Sequence, residues 1–248
     1  MHSLSKSTIL LLAIAIHTTA SAQDATRWAN TARYDTANDS LITAGIRPSV
    51  VLMGNSITEM WPVRNSHIFD THPDIAARGI SGQTTSQMLL RFDSDVVTLR
   101  PRAVVINGGT NDIALNAGTY REDFTMANIR SMAAIARANC ITPILTSVLP
   151  AAGFIWRKDV TEAMSAIKSL NKRISAYAAA EGIGYIDYFS TMVNDSGDAM
   201  KDEYSSERPA VHPNHDGYSA METPLLEAIA PYLNGTGDGR CPLDTYHE

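Results

Sequence analysis

Ser49-Val50-Val51-Leu52-Met53-Gly54-Asn55-Ser56-Ile57-Thr58, residues 49–58, joins an unbroken apolar run to a glycine, a serine and the opening of a helical segment. A strand buried on both faces needs continuous rather than alternating apolar character, so the run reads as an interior strand of a parallel sheet. Working outward, residues 103–107, 141–148 and 183–187 have the same character, and a weaker strand falls at 74–78. Between these runs the period changes. Val160, Ala163, Ile167, Leu170, Ile174 and Tyr177 fall at three- and four-residue steps, as do Met126, Ile129, Ala133 and Ala136, giving helices with one apolar stripe each. A last helix follows Pro213, turns Met221, Leu225 and Ile229 inward, and is expected to kink or restart at Pro224. Strands alternating with helices through short connections predict an α/β fold, a parallel sheet covered on both sides. Ligands in such folds sit beyond the carboxyl ends of the strands, at a switch in strand order.

With 248 residues, 44% hydrophobic and 19% charged, the chain is long enough for one α/β domain and its core, without repeats, low-complexity tracts or an interdomain linker. Residues 23–48 are polar and read as a segment wrapping the outside of the domain; residues 234–248 read as a tail. The formal charge is −6 and no run of Lys and Arg occurs, which argues against a nucleic-acid or anionic-membrane partner.

Residues 1–22 read as an export signal: Lys6 supplies the positive charge, residues 9–16 the apolar centre, and Ala20-Ser21-Ala22 the small-residue cleavage site. The apolar run is too short to span a bilayer. A secreted or periplasmic bacterial product, not inserted in the membrane after cleavage, is the expectation. In that oxidising compartment Cys140 and Cys241 can pair and fasten the tail to the start of a strand, or stand as two unrelated thiols; spacing does not choose between these.

Four segments carry candidate chemistry. Gly54-Asn55-Ser56-Ile57-Thr58 places a serine where a strand ends and a helix opens, so the hydroxyl can project from the sheet edge beside free backbone N–H groups. It is not the G-x-S-x-G elbow, since Thr58 holds the last glycine position, and alone Ser56 reads equally as a helix N-cap. Arg78-Gly79-Ile80-Ser81-Gly82-Gln83-Thr84-Thr85 offers paired glycines and an exposed N–H before a helix. Asn107-Gly108-Gly109-Thr110-Asn111-Asp112 follows the strand at 103–107. Val211-His212-Pro213-Asn214 puts a histidine before the last helix, a candidate base for a serine hydroxyl that needs a proton acceptor.

The order and spacing of these blocks resemble the SGNH/GDSL hydrolase family, and the wording GNSITE (54–59), RGISGQTTSQMLLRF (78–92), GGTNDI (108–113) and VHPN (211–214) resembles its bacterial lipase/acylhydrolase branch. The likeness runs from about residue 49 to 232. It implies a flavodoxin-like three-layer α/β/α sandwich with a central parallel sheet of about five strands, and ester hydrolysis with no metal and no cofactor. Carried over block by block, it makes Ser56 the nucleophile and His212 the base and later the acid. The N–H groups of Ser56 and Gly82 and the Asn111 amide form the oxyanion hole.

This chain departs from the pattern at one place. Where the family has an Asp three residues before the histidine, Pro209 stands, with no acid and no N–H. Three arrangements stay open: Glu207 reaches His212 from farther upstream; a backbone carbonyl or water orients the imidazole in a Ser–His dyad; or turnover is impaired. Trp61 and Trp156 are candidates for lining an acyl or sugar pocket, or for packing. His212, His215 and Asp216 match no zinc signature. The expected activity is hydrolysis of short-chain carboxylic esters, extending by resemblance to O-acetyl groups on carbohydrates. An acyltransferase using the same acyl-Ser56, and a glycan-binding protein that has lost turnover, are the alternatives. Oligomeric state is not legible.

Overall fold

The computed structural model describes residues 24–233. Five strands form one all-parallel sheet: β1 (Val50–Gly54), β2 (Ile75–Gly79), β3 (Ala103–Ile106), β4 (Thr142–Thr146) and β5 (Gly184–Ile186). Their order is β2-β1-β3-β4-β5, the flavodoxin-like winding. Ten α-helices occur among the described residues: α1 (Ala25–Ala29), α2 (Asp35–Thr43), α3 (Ser56–Arg64), α4 (His67–Thr71), α5 (Thr85–Leu90), α6 (Thr110–Ile113), α7 (Glu122–Ala138), α8 (Ala163–Ala180), α9 (Tyr188–Met192) and α10 (His215–Leu233). All five strands expected from the sequence are present, each within about two residues of its expected bounds.

The strands are apolar throughout because both faces are covered. Val51, Met53, Val104, Ile106 and Leu145 point into a cluster with Met88, Met126, Ile129, Ile167 and Leu170, from α5, α7 and α8. Their neighbours Val50, Leu52, Ala103, Val105 and Ile144 point the other way, against Ile57, Trp61, Tyr188, Tyr218 and Leu225, from α3, α9 and α10. The period-2 alternation of a strand thus feeds two cores, which is what makes three layers. The stripes read for α7 and α8 are the buried faces observed. Of the kink or restart expected at Pro224, the restart does not occur: α10 runs unbroken from His215 to Leu233 through Pro224 and Pro231.

Register brings the strand ends level. Met53 stands beside Arg78 and Ile106, and Gly54 beside Gly79. The turns after β1, β2 and β3 therefore open at one edge, around the switch point where β1 separates β2 from β3. Gly79 is required there: a Cβ on it would lie 2.2 Å from the Glu59 nitrogen and 2.5 Å from the Asn55 oxygen. Only without one does the end of β2 pass this close to the start of α3.

Beneath that edge lies Arg91, fully buried and ion-paired at 2.7 Å with equally buried Asp95. Its guanidinium also donates to Gly54 O at 2.8 Å, Arg78 O at 2.9 Å and Gln83 Oε1 at 2.6 Å. Burial pushes the Asp95 carboxyl up and the Arg91 guanidinium down from their usual values, which is the cost of sinking the pair. The segment before β1 packs over the same edge. Gln83 Nε2 donates to Ala29 O at 2.5 Å, Gln87 Nε2 to Trp28 O at 2.8 Å, and the Tyr34 hydroxyl to Gly79 O.

No helix among the described residues is long and apolar enough to cross a membrane. The expected leader, the tail at 234–248 and Cys241, one half of the considered cysteine pair, lie outside the described residues.

Candidate active site

Ser56 is the first residue of α3, so its backbone N–H has no acceptor within the helix. Asn55 caps the helix instead, its Oδ1 accepting from Ile57 N at 3.1 Å, and the Ser56 hydroxyl is left for other work. Ser56 is 8% exposed. Its Oγ lies 2.9 Å from Nε2 of His212, 156 residues later.

The opposite ring nitrogen, His212 Nδ1, faces both oxygens of Glu207, at 3.0 and 2.9 Å. A carboxylate only accepts, so Nδ1 carries the proton and Nε2 presents its lone pair to the Ser56 hydroxyl. The alternative orienting groups, a carbonyl or a water, are not needed to explain the ring's position. Glu207 reaches in because the 204–214 loop folds back on itself. The Ser205 hydroxyl donates to His212 O at 2.9 Å, Glu207 N donates to Ser205 Oγ at 3.2 Å, and His212 N donates to Glu207 Oε2 at 3.3 Å. Arg64, at the far end of the helix that Ser56 begins, donates to Pro213 O at 2.8 Å and pairs with Glu207 at 3.8 Å. One helix therefore carries the serine at its first residue and ties down the histidine loop from its last.

Across the cleft, Gly82 adopts φ +78°, a left-handed conformation that glycine takes without strain. Asn111 is 3% exposed, and its Nδ2 donates to Gln83 O at 3.0 Å. The neighbouring Asp112 points away from the cleft. It accepts from Thr85 N at 2.9 Å, Thr85 Oγ1 at 2.5 Å and Thr125 Oγ1 at 3.1 Å, and burial raises its carboxyl above the usual carboxylate range. Its work is to tie the turn after β3 to α5 and α7. Glu59 braces Ser81, next to Gly82, through its N–H at 2.7 Å and hydroxyl at 2.5 Å.

Ser56, Gly82, Asn111 and His212 line one open cleft of about 290 Å³, together with Met60, Ser81, Asn116 and Trp156. Trp156 is 44% exposed, its ring tilted 29° to the His212 imidazole at a centroid distance of 6.4 Å. Trp61 is not at the cleft. It is 3% exposed and packs edge-on against Phe69 and Tyr188 and tilted against Tyr218, so the expectation that it lines a pocket gives way to packing. A large ring on the α3 face turned into the sheet's second core gains more by full burial than by standing at a wet edge. Asn116 was missed by sequence reading, since it sits in a Leu-Asn-Ala-Gly turn that has no chemical signal of its own. Among the described residues, no three His, Cys, Asp or Glu side chains are grouped to hold a metal ion.

Such a constellation, a serine at a strand end with a histidine and carboxylate behind it and a glycine and an asparagine across the cleft on a flavodoxin-like fold, has the residue types and distances that serine acyl transfer requires. The profile of the GDSL-like lipase/acylhydrolase family matches residues 39–220, and the chain belongs to that family of carboxylic ester hydrolases. A GDSL-like lipase from Bacteroides thetaiotaomicron VPI-5482 is 47% identical over 83% of this chain and all of its own, with a TM-score of 0.77. A Bacteroides fragilis NCTC 9343 structure is 44% identical over 83% of this chain and 98% of its own, with a TM-score of 0.78. An acetyl xylan esterase, 16% identical over 73% of this chain and 98% of its own, shares the fold at a TM-score of 0.58. No curated protein matches the chain.

Proposed function

We propose that the cleft hydrolyses short-chain carboxylic esters, O-acetyl groups on carbohydrates among them, through an acyl-Ser56 intermediate. The observation that carries this reading is the unbroken line from Ser56 Oγ through His212 to Glu207, with Gly82 and Asn111 on the other side of the cleft.

In this reading His212 Nε2 takes the hydroxyl proton as Ser56 Oγ bonds to the ester carbonyl carbon. The negative charge that develops on the former carbonyl oxygen is met by the N–H groups of Ser56 and Gly82 and the second N–H of Asn111 Nδ2. Each such donor contributes on the order of 3 kcal/mol. The His212 imidazolium, held by Glu207, then protonates the departing alcohol oxygen as the C–O bond breaks. Water adds to the acyl-enzyme with the same base, releasing the acid and restoring Ser56. Glu207 fills the role that an Asp at position 209 would have; its longer side chain offsets the extra backbone distance. Its contact with His212 supports an active enzyme over a binding protein that has lost turnover.

Short acyl groups fit better than long ones. The internal apolar void lined by Leu52, Ile57, Trp61, Val105, Tyr188 and Met221 is about 10 Å³, too small for an alkyl chain. The cleft itself is shallow and walled by Trp156, whose exposed ring suits the apolar face of a sugar. The leader read at residues 1–22 would place the activity outside the cytoplasm.

The test is hydrolysis of p-nitrophenyl acetate against p-nitrophenyl esters of longer acids, by wild type and Ser56→Ala. Acetate should be preferred, and the Ser56→Ala variant should lose about 10⁴-fold or more in kcat. Turnover that survives loss of the hydroxyl removes Ser56 as nucleophile.

A further inference from the structure

The indole N–H of Trp156 donates to Asn116 Oδ1 at 2.9 Å. An indole nitrogen can only donate, so this bond decides which end of the Asn116 amide is oxygen. The Asn116 NH₂ is thereby turned the other way, where it meets two acceptors: Asn111 Oδ1 at 3.0 Å and Gly82 O at 3.1 Å. The first bond fixes Asn111 in turn. With its oxygen engaged by Asn116, its Nδ2 faces Gln83 O at 3.0 Å and keeps one N–H for the cleft. The second bond holds the carbonyl of Gly82, which lines the same cleft.

We propose that Asn116 is a positioning residue for the oxyanion hole, setting the Asn111 amide and the Gly82 turn, and that Trp156 couples it to the wall on which the substrate rests. This inference rests on the esterase reading above. Because Asn116 is exposed in the free cleft, water competes for its bonds there; a substrate that covers Trp156 excludes that water and tightens the chain of amides. Binding of the ester's non-reacting part is then spent on ordering the hole, which raises kcat rather than lowering KM.

The measurements are kcat and KM for p-nitrophenyl acetate, with melting curves, for Asn116→Ala, Asn116→Asp, Trp156→Phe and Asn111→Ala, and for Asn116→Asp combined with Asn111→Ala. Asn116→Asp keeps an acceptor for the indole but has no N–H for Asn111 or Gly82. Removing a direct oxyanion donor costs roughly 10²- to 10³-fold, and a donor left in place but unoriented should cost less, about 10-fold. The expected result is a kcat lower by about 10-fold in both Asn116 variants with KM little changed, and a smaller loss in Trp156→Phe. In the Asn111→Ala background the same Asn116→Asp change should cost less than half as much on a logarithmic scale, because its target is gone. Wild-type kcat in Asn116→Asp, a rise in KM alone, or full additivity with Asn111→Ala overturns the proposal. Wild type and Ser56→Ala are measured alongside: equal rates from those two would fail the esterase reading itself, whatever the Asn116 variants do.

Discussion

Ser56 stands on a turn backed by the fully buried Arg91, whose guanidinium holds Gly54 O at 2.8 Å and Asp95 at 2.7 Å, and by a strand of which all five residues are buried. His212 and Glu207 stand on a loop whose side chains are 13% and 28% exposed, held by hydrogen bonds to Ser205 and a 3.8 Å ion pair to Arg64. The two regions meet at 2.9 Å, but one is secured by the core and the other by a handful of bonds at the surface. Each buried Val or Leu of the sheet contributes about 1.5–3 kcal/mol, whereas a typical hydrogen bond in the loop adds about 1 kcal/mol net. The place of Ser56 is therefore part of global stability, while the orientation of His212 can fail without the fold failing.

Variants on the two sides should separate these properties. The largest effect is expected from Arg91→Ala, which strands the Asp95 carboxylate without its partner in the interior. Breaking a buried pair this way costs about 3–5 kcal/mol, so denaturant melts should show the loss and activity should fall only with the folded fraction. Next, Glu207→Gln should lower kcat about 10²-fold, or about 2.7 kcal/mol, with a melting temperature near that of wild type. That is less than the loss recorded for the buried aspartate of serine proteases, because Glu207 is partly exposed. If Glu207→Gln melts as early as Arg91→Ala, the contrast between the regions is broken.

The smallest effect tests the border between them, where Glu59 braces Ser81 beside Gly82. Burial pushes the Glu59 carboxyl up, but hydrogen bonds from the Ser81 side chain and backbone and from Arg33 outweigh it, leaving it below its usual 4.5. A depressed carboxylate adds stability that is present above the unfolded value and is lost as pH falls through the folded one. Glu59→Gln should therefore cost about 1 kcal/mol at neutral pH, discounted for exposure, and the gap to wild type should close below pH 4.5. A gap that persists unchanged in acid would show that shape rather than charge holds Ser81.

Much of the fold was legible because its causes are local. The short apolar runs of β1, β3 and β4 read as two-sided strands and the stripes of α7 and α8 as one-sided helices, and both are what the structure has. Of the two outcomes expected at Pro224, a kink or a restart, the helix does not restart, because a proline's cost is local whereas packing of Met221, Leu225 and Ile229 along one face is collective. Trp61 stayed open between pocket and packing because an aromatic near a motif carries no mark of which way its helix turns it.

The sequence by itself determined the class of fold, the four blocks and the residue types that could do acyl transfer, since these follow from short-range pattern and side-chain chemistry. Only the tertiary structure decided which carboxylate contacts His212, that Asp112 braces a turn and Trp61 fills a core, and that Asn116 and Trp156 join Asn111 at the cleft. Those are questions of distance between segments far apart in the chain. Sheet register, helix rotation and the fold of a loop set such distances, and no local pattern of residues contains them.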